Sequence, residues 1–211
     1  MPVRNAVQQP ARPRAQARTR LDLDERRAQL IELGLEVFAA RPYDEVHIET
    51  LARAAGVSKG LLYHYFPTKR DFYTATLRAA AERLLAETMV DESLRPLERL
   101  GSGLDRYLQF VERYASAYVT LMRGGVGADP EVATIIEATR GAYMDRLTSG
   151  LSQVAPTLSP MLRLALRGWI GFVEATSLDW AIARDVERPA LTSLLVSVLL
   201  TTLQSIGTQL P

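Results

Sequence analysis

The chain reads as an all-α protein, with an N-terminal three-helix helix-turn-helix domain followed by a larger C-terminal helical domain. Three observations lead there. The stretch from His47 to Lys69, HIETLARAAGVSKGLLYHYFPTK, divides into two short helices around a glycine turn. From Ser93 onward apolar residues recur at i, i+3 and i+4 in long runs, and no segment alternates convincingly as a strand would. The composition, 47% hydrophobic and 23% charged over 211 residues, is globular and supports one good core or two small ones.

Residues 1–21 carry Arg4, Arg12, Arg14, Arg18 and Arg20, three prolines and no acid, which predicts a disordered basic arm. No apolar run follows it, so a secretory signal is not expected. Such an arm can reach phosphates or a minor groove, or have no defined role. A helix is expected from Leu23 to Ala40. Asp24 and Glu25 suit its positive end, and Leu30, Leu33, Gly34, Val37 and Phe38 keep helical spacing. Arg41-Pro42 ends it, and Tyr43 closes the loop.

In the next helix Ile48, Leu51, Ala52 and Ala55 form one apolar face. Gly56 stops it, since glycine takes the left-handed conformation just past a helix end. Ser58 caps a second helix that runs to about Phe66, where Pro67 closes it. Leu62, Tyr65 and Phe66 point inward, and Lys59, Gly60, Tyr63 and His64 fall on the other side. That outer face offers a cation, a close backbone approach and two flat hydrogen-bonding rings, chemistry suited to a groove of phosphates and base edges. The chain's two lysines, Lys59 and Lys69, and its two histidines, His47 and His64, all lie in this one segment. Through Val90 there are 14 Lys and Arg against 11 Asp and Glu, and beyond it 11 against 13, so basic charge gathers toward this end.

Thr68 caps the following helix, which opens with Lys69-Arg70-Asp71, runs to about Thr88 and is to connect the two parts. Two cations at a helix start oppose the helix dipole, a conflict that a nearby phosphate would resolve. Further on, Leu104, Tyr107, Leu108, Val111, Ala115, Tyr118 and Met122 predict one helix over five turns, broken by Gly124, Gly125 and Gly127. Pro130 sits at the first position of the next helix, which carries Val132, Ile135, Ile136, Tyr143, Leu147, Leu151 and Val154. Helices from Met161 to about Arg184 and from Arg188 to about Ile206 complete the chain. The last is apolar on more than one side and falls short of the ~20 residues that span a bilayer, so it is expected to be buried against a partner.

At these residues the chain resembles the TetR family of bacterial one-component repressors. The resemblance runs from about Asp24 to Leu77, a quarter of the chain, through Phe38, Tyr43, Leu51-Ala52, Ala55-Gly56-Val57-Ser58, Gly60, Leu62-Tyr63, Tyr65-Phe66 and Lys69. The run GVSKGLLYHYFPTK is highly specific to that family. His47, where Ser or Thr usually stands, and Leu61, where a smaller or polar residue is frequent, depart from the pattern. The resemblance implies a DNA-binding domain over 22–68, a ligand-binding and dimerisation domain over 69–211 with 69–88 connecting, and a homodimer on a palindromic operator. The residues expected against double-stranded DNA are His47, Thr50, Ser58, Lys59, Gly60, Leu61, Tyr63, His64 and Lys69.

The family also leads one to expect a cavity among the middle helices. The aromatic stripe there is core at first reading, but buried Tyr hydroxyls need partners that a ligand would supply. Phe110, Tyr114, Tyr118, Met122, Met144, Trp169 and Phe172 are the expected lining, for a mainly apolar small-molecule effector. By the same resemblance the last two helices pair across a two-fold axis, through Leu178, Leu191, Leu195, Val198, Leu199 and Leu203. No catalytic residue, metal site or cofactor is expected. Cys is absent, both histidines lie in the head, and no carboxylate pair has acid-base spacing. The absence of Cys fits a reducing, cytoplasmic setting. A helical enzyme is a remote alternative, and a constitutive DNA-binding dimer without effector a nearer one. Repression and activation are both open.

Overall fold

The computed structural model describes residues 14–41, 43–116, 119, 129–151 and 158–207, with side chains from 23 onward. Among these, the regular structure is helical throughout: α1 (Arg14–Ala40), α2 (Ile48–Ala54), α3 (Lys59–Tyr65), α4 (Lys69–Glu87), α5 (Pro96–Arg113), α6 (Pro130–Leu151), α7 (Pro160–Ala183) and α8 (Arg188–Ser205), with a single 3-10 turn at Tyr43–Glu45.

Helix α1 starts at Arg14, not Leu23. Between Pro13 and Leu23 the sequence has neither Gly nor Pro and is rich in Ala, Arg, Gln and Leu, all strong helix formers, so the helix extends back to the last proline. Residues 1–13 of the expected arm lie outside the described residues. Gly56 takes φ +63 in the turn between α2 and α3, and the Ser58 hydroxyl accepts the Leu61 N–H to cap α3. His47 stands at the N-cap of α2 without a side-chain cap bond. Thr68 and Asp71 close a reciprocal capping box on α4.

Two cores result. In the head, Leu30, Phe38, Val46, Leu51, Leu62 and Phe72 pack together, and Val132, from the first turn of α6, is fully buried among them. In the body, Leu104, Leu108, Val111, Leu166, Leu195 and Leu203 form the centre of the second cluster. Helix α4 packs on α1, α5 and α6, while α5, α7 and α8 pack mutually. Trp169 Nε1 donates to the Leu195 carbonyl at 2.9 Å, and Trp180 Nε1 to that of Val186 at 2.6 Å, so both indoles are satisfied inside the body.

Helix α5 ends at Arg113, and the five turns expected are interrupted at Tyr114 (φ −112, ψ 30), after which Ala115, Ser116 and Val119 are helical again. Its last turn is held by ion pairs from Arg113 to Glu87 and from Glu112 to Arg184 and Arg188, tertiary contacts to which periodicity is blind. Tyr118, Met122 and Val154 lie outside the described residues. Among the described residues no helix is long and apolar enough to cross a membrane.

Candidate functional site

The outer face of α3 carries Lys59, Gly60, Leu61, Tyr63 and His64, all exposed, while Leu62 is buried beneath them. His47 and Ser58 are exposed beside them, and Thr50 is half-buried. Lys59 is not an isolated cation, because its ammonium lies 2.5 Å from the Glu49 carboxylate on α2 and 5.8 Å from the Tyr63 ring centre. The pairing raises the Lys59 pKa and lowers that of Glu49. His64 makes an edge-to-face contact with the neighbouring Tyr65 ring, centroid to centroid 5.6 Å, and stays exposed.

Lys69 and Arg70, expected to await a phosphate, are both partnered inside the chain. The Lys69 ammonium sits 4.1 Å from the Tyr43 ring centre, and desolvation there lowers its pKa. Arg70 forks onto Asp129, Nε at 2.5 Å and a terminal nitrogen at 2.7 Å. That carboxylate also accepts the Glu131 N–H at the start of α6. The Arg70 fork holds the Asp129 carboxyl well below the ordinary range. The dipole conflict at the start of α4 is thus met by a ring, a carboxylate and the Asp71 box. Sequence reasoning passed over Glu49, Tyr43 and Asp129 as partners, since their separations along the chain follow no local period.

A cavity of about 1280 Å³ lies in the body. Helix α4 lines it with Leu77, Leu84 and Thr88, and α5 with Leu104, Tyr107 and Phe110. Helix α6 contributes Ile135, Ile136, Thr139, Tyr143 and Arg146, and α7 contributes Trp169 and Val173. Of the expected lining, Phe110, Tyr114 and Trp169 border it. Met144 packs half-buried against the body core, and Phe172 is exposed on the outside of α7. Neither lines the cavity, because a stripe of apolar residues does not reveal which side of the helix faces inward. The cavity is also less uniformly apolar than expected, for Arg83, Arg95, Arg99 and Arg146 border it. Tyr143 is half-buried in its wall, and desolvation pushes its hydroxyl up to about 12.

The expected dimer contacts divide differently. Leu191, Leu195, Leu199 and Leu203 are buried within the chain itself, against α5 and α7, and cannot meet a partner. Leu178 and Val198 are half-buried. The exposed stripe on α7 is instead Leu164, Gly168, Gly171, Phe172, Ala175 and Ile182, and on α8 it is Ala190, Ser193, Leu194 and Ser197. A helix apolar on two faces offers two candidate interfaces, and packing uses the more leucine-rich one for the core. Among the described residues no cluster of three or more His, Cys, Asp or Glu is placed to hold a metal ion.

Comparison with known proteins gives matches to both parts. Residues 30–76 match bacterial regulatory proteins, tetR family, and residues 96–202, just over half the chain, match the tetracyclin repressor-like C-terminal domain. The chain is 30% identical over 138 residues to the HTH-type transcriptional activator FasR of Mycolicibacterium smegmatis, covering 64% of this chain and 62% of FasR. It is 42% identical over 74 residues to the transcriptional regulator AcuR of Cereibacter sphaeroides, covering 34% of either chain. The chain therefore spans less than two thirds of the length of these relatives. Among solved structures, a tetR-family transcriptional regulator from Streptomyces coelicolor superposes with a TM-score of 0.79 at 32% identity, covering 86% of this chain and 82% of that one. The regulator FadR of Bacillus subtilis, in complex with stearoyl-CoA, shares the fold with a TM-score of 0.69 at 19% identity, covering 83% and 98%.

Proposed function

The chain belongs to the tetR family of bacterial regulatory proteins, and from that premise we propose that it is a homodimeric, DNA-binding transcriptional regulator whose grip on DNA answers to a small molecule in the body cavity. The outer face of α3 supports the DNA-binding half of this reading. It sets an ammonium, a glycine backbone and two hydrogen-bonding rings together in the open, and the head core beneath fixes their direction.

The observation that carries the responsive half is the sharing of helices. Helix α4 buries Phe72 and Tyr73 in the head and then lines the cavity with Leu77, Leu84 and Thr88. Helix α6 buries Val132 in the head and lines the cavity with Ile135, Ile136 and Tyr143. A ligand that presses on either helix acts on an element whose other end is part of the DNA-reading head, so ligand and operator affinities are linked. The reading is a repressor on a palindromic operator, released by an effector with a large apolar body. The stearoyl-CoA bound to FadR of Bacillus subtilis is an example of such a body in the same fold.

The test is a gel shift with purified protein and the DNA flanking its own coding sequence. A salt-sensitive shift is expected, weakened by an effector that fits the cavity. The reading fails if no shift appears at low salt, with or without candidate effectors.

A further inference from the structure

We propose that the cavity takes an amphipathic acid, a long-chain aliphatic carboxylate whose head is held by Arg146 with help from Tyr143. The inference rests on the reading of the body cavity as an effector site and names the chemistry of the effector's polar end.

Arg146 is half-buried in the cavity wall. Its guanidinium donates to Thr88 Oγ1 at 2.9 Å and to the Leu85 carbonyl at 2.7 Å, approaches Met89 sulfur at 3.2 Å, and lies 5.4 Å from the Tyr143 ring centre. Every one of these partners is neutral. Most other arginines of the body have a carboxylate: Arg140 has Glu174, Arg167 has Glu137, and Arg184 and Arg188 share Glu112. Among the described residues Arg146 has no such ion pair, and segments 117–128 and 152–157 contain neither Asp nor Glu that could supply one. Two of the carboxylates that border the cavity are engaged with other arginines, Glu98 with Arg95 and Glu174 with Arg140.

A half-buried charge without a counter-ion is costly, and the carbonyl end of α4 offsets only part of that cost. A guanidinium carries five donors in a fork that matches a carboxylate, more than its three neutral partners consume. Beside it the Tyr143 hydroxyl lies 3.1 Å from Thr88 Oγ1, and all three residues face the same cavity. Because Tyr143 stays protonated at neutral pH, it can donate to an anion. The remaining walls, among them Leu84, Leu104, Tyr107, Ile136 and Val173, are apolar. A few convergent polar groups in an otherwise apolar pocket fix the orientation of a ligand that carries one polar end. A purely apolar effector would leave the Arg146 charge uncompensated.

The test is titration calorimetry of the full chain with hexadecanoate, hexadecanol and hexadecanoyl-CoA, together with Trp169 fluorescence in a Trp180→Phe background as an independent readout. The wild type is expected to bind the acid roughly ten- to hundredfold more tightly than the alcohol, the usual span for charge-assisted hydrogen bonds. Arg146→Met should abolish that difference, while Tyr143→Phe, which preserves the packing, should reduce it in part. Equal binding of acid and alcohol, binding of neither, tighter binding of the thioester than of the acid, or an acid preference that survives in Arg146→Met would each overturn the proposal. A DNA shift by ligand-free protein, run in parallel, tests the regulatory reading separately.

Discussion

Glu49 places a negative charge on the outer face of α2, where it holds the ammonium of Lys59 through an exposed ion pair. Such a pair contributes little to stability, yet it competes with any phosphate for the one lysine of α3. Glu49→Gln is therefore expected to tighten DNA binding several-fold on every sequence and to steepen the salt dependence by about one counterion, read by fluorescence anisotropy across a salt series. An unchanged slope would show that Lys59 does not reach the backbone. Leu61 is exposed on the same helix, and Leu61→Ala is expected to alter sequence preference more than overall affinity, in a competition assay between operator variants. Gly34 has a structural reason to be glycine. A Cβ there would collide with Thr76 Oγ1 and come within 2.9 Å of the Phe72 ring, where α1 lies against α4. Gly34→Ala should cost about 1–3 kcal/mol in urea unfolding, the usual range for overpacking.

At the scale of elements, α4 and α6 connect the two cores, and an ion pair fastens their starts. Arg70 forks onto Asp129, and Arg70 and Arg78 both approach Glu131. The folded-state pKa of Asp129 is depressed, first by the hydrogen bond from Arg70. Its stabilising contribution is therefore complete above the ordinary value of 3.8 and is lost as pH falls through the lower, folded value. Thermal midpoints of the wild type and Asp129→Asn, measured from neutral pH downward, should keep a constant gap near neutrality and converge below about pH 3.8. A gap independent of pH would remove Asp129 from this role. The ends of these elements were mostly legible, since Gly56, Ser58, Thr68 and Pro130 mark boundaries by local chemistry. The end of α5 was not, because long-range ion pairs hold its last turn.

For the whole molecule, the exposed apolar stripe of α7 and α8 is the surface proposed to bring two chains together. Leu164 is 67% and Leu194 49% exposed, whereas Leu195, one residue on, is 0% exposed. Glycines at 168 and 171 leave room for close helix approach. Leu164→Glu with Leu194→Glu should yield folded monomers in sedimentation and weaken binding to a palindrome, since two heads spaced by about one turn of DNA, ~34 Å, are needed to read both halves. Leu195→Ala should instead lower stability by roughly 2–5 kcal/mol, as loss of a buried leucine does. Dissociation by Leu195→Ala without loss of stability would reverse the assignment.

The sequence alone determined the helical class, the helix-turn-helix and most helix boundaries. Each of these depends on residues within one or two turns of one another: an apolar period, a capping hydroxyl, a glycine in a left-handed turn. It also located the polar outer face of α3, because a short amphipathic helix has only one inner side. Tertiary structure alone decided which leucines of α8 form the core, that Lys69 rests on Tyr43, that Val132 belongs to the head, and that Arg146 faces the cavity with no carboxylate partner among the described residues. Those outcomes depend on pairings between residues tens of positions apart, and a helix with two apolar faces satisfies the local rules whichever face packs inward.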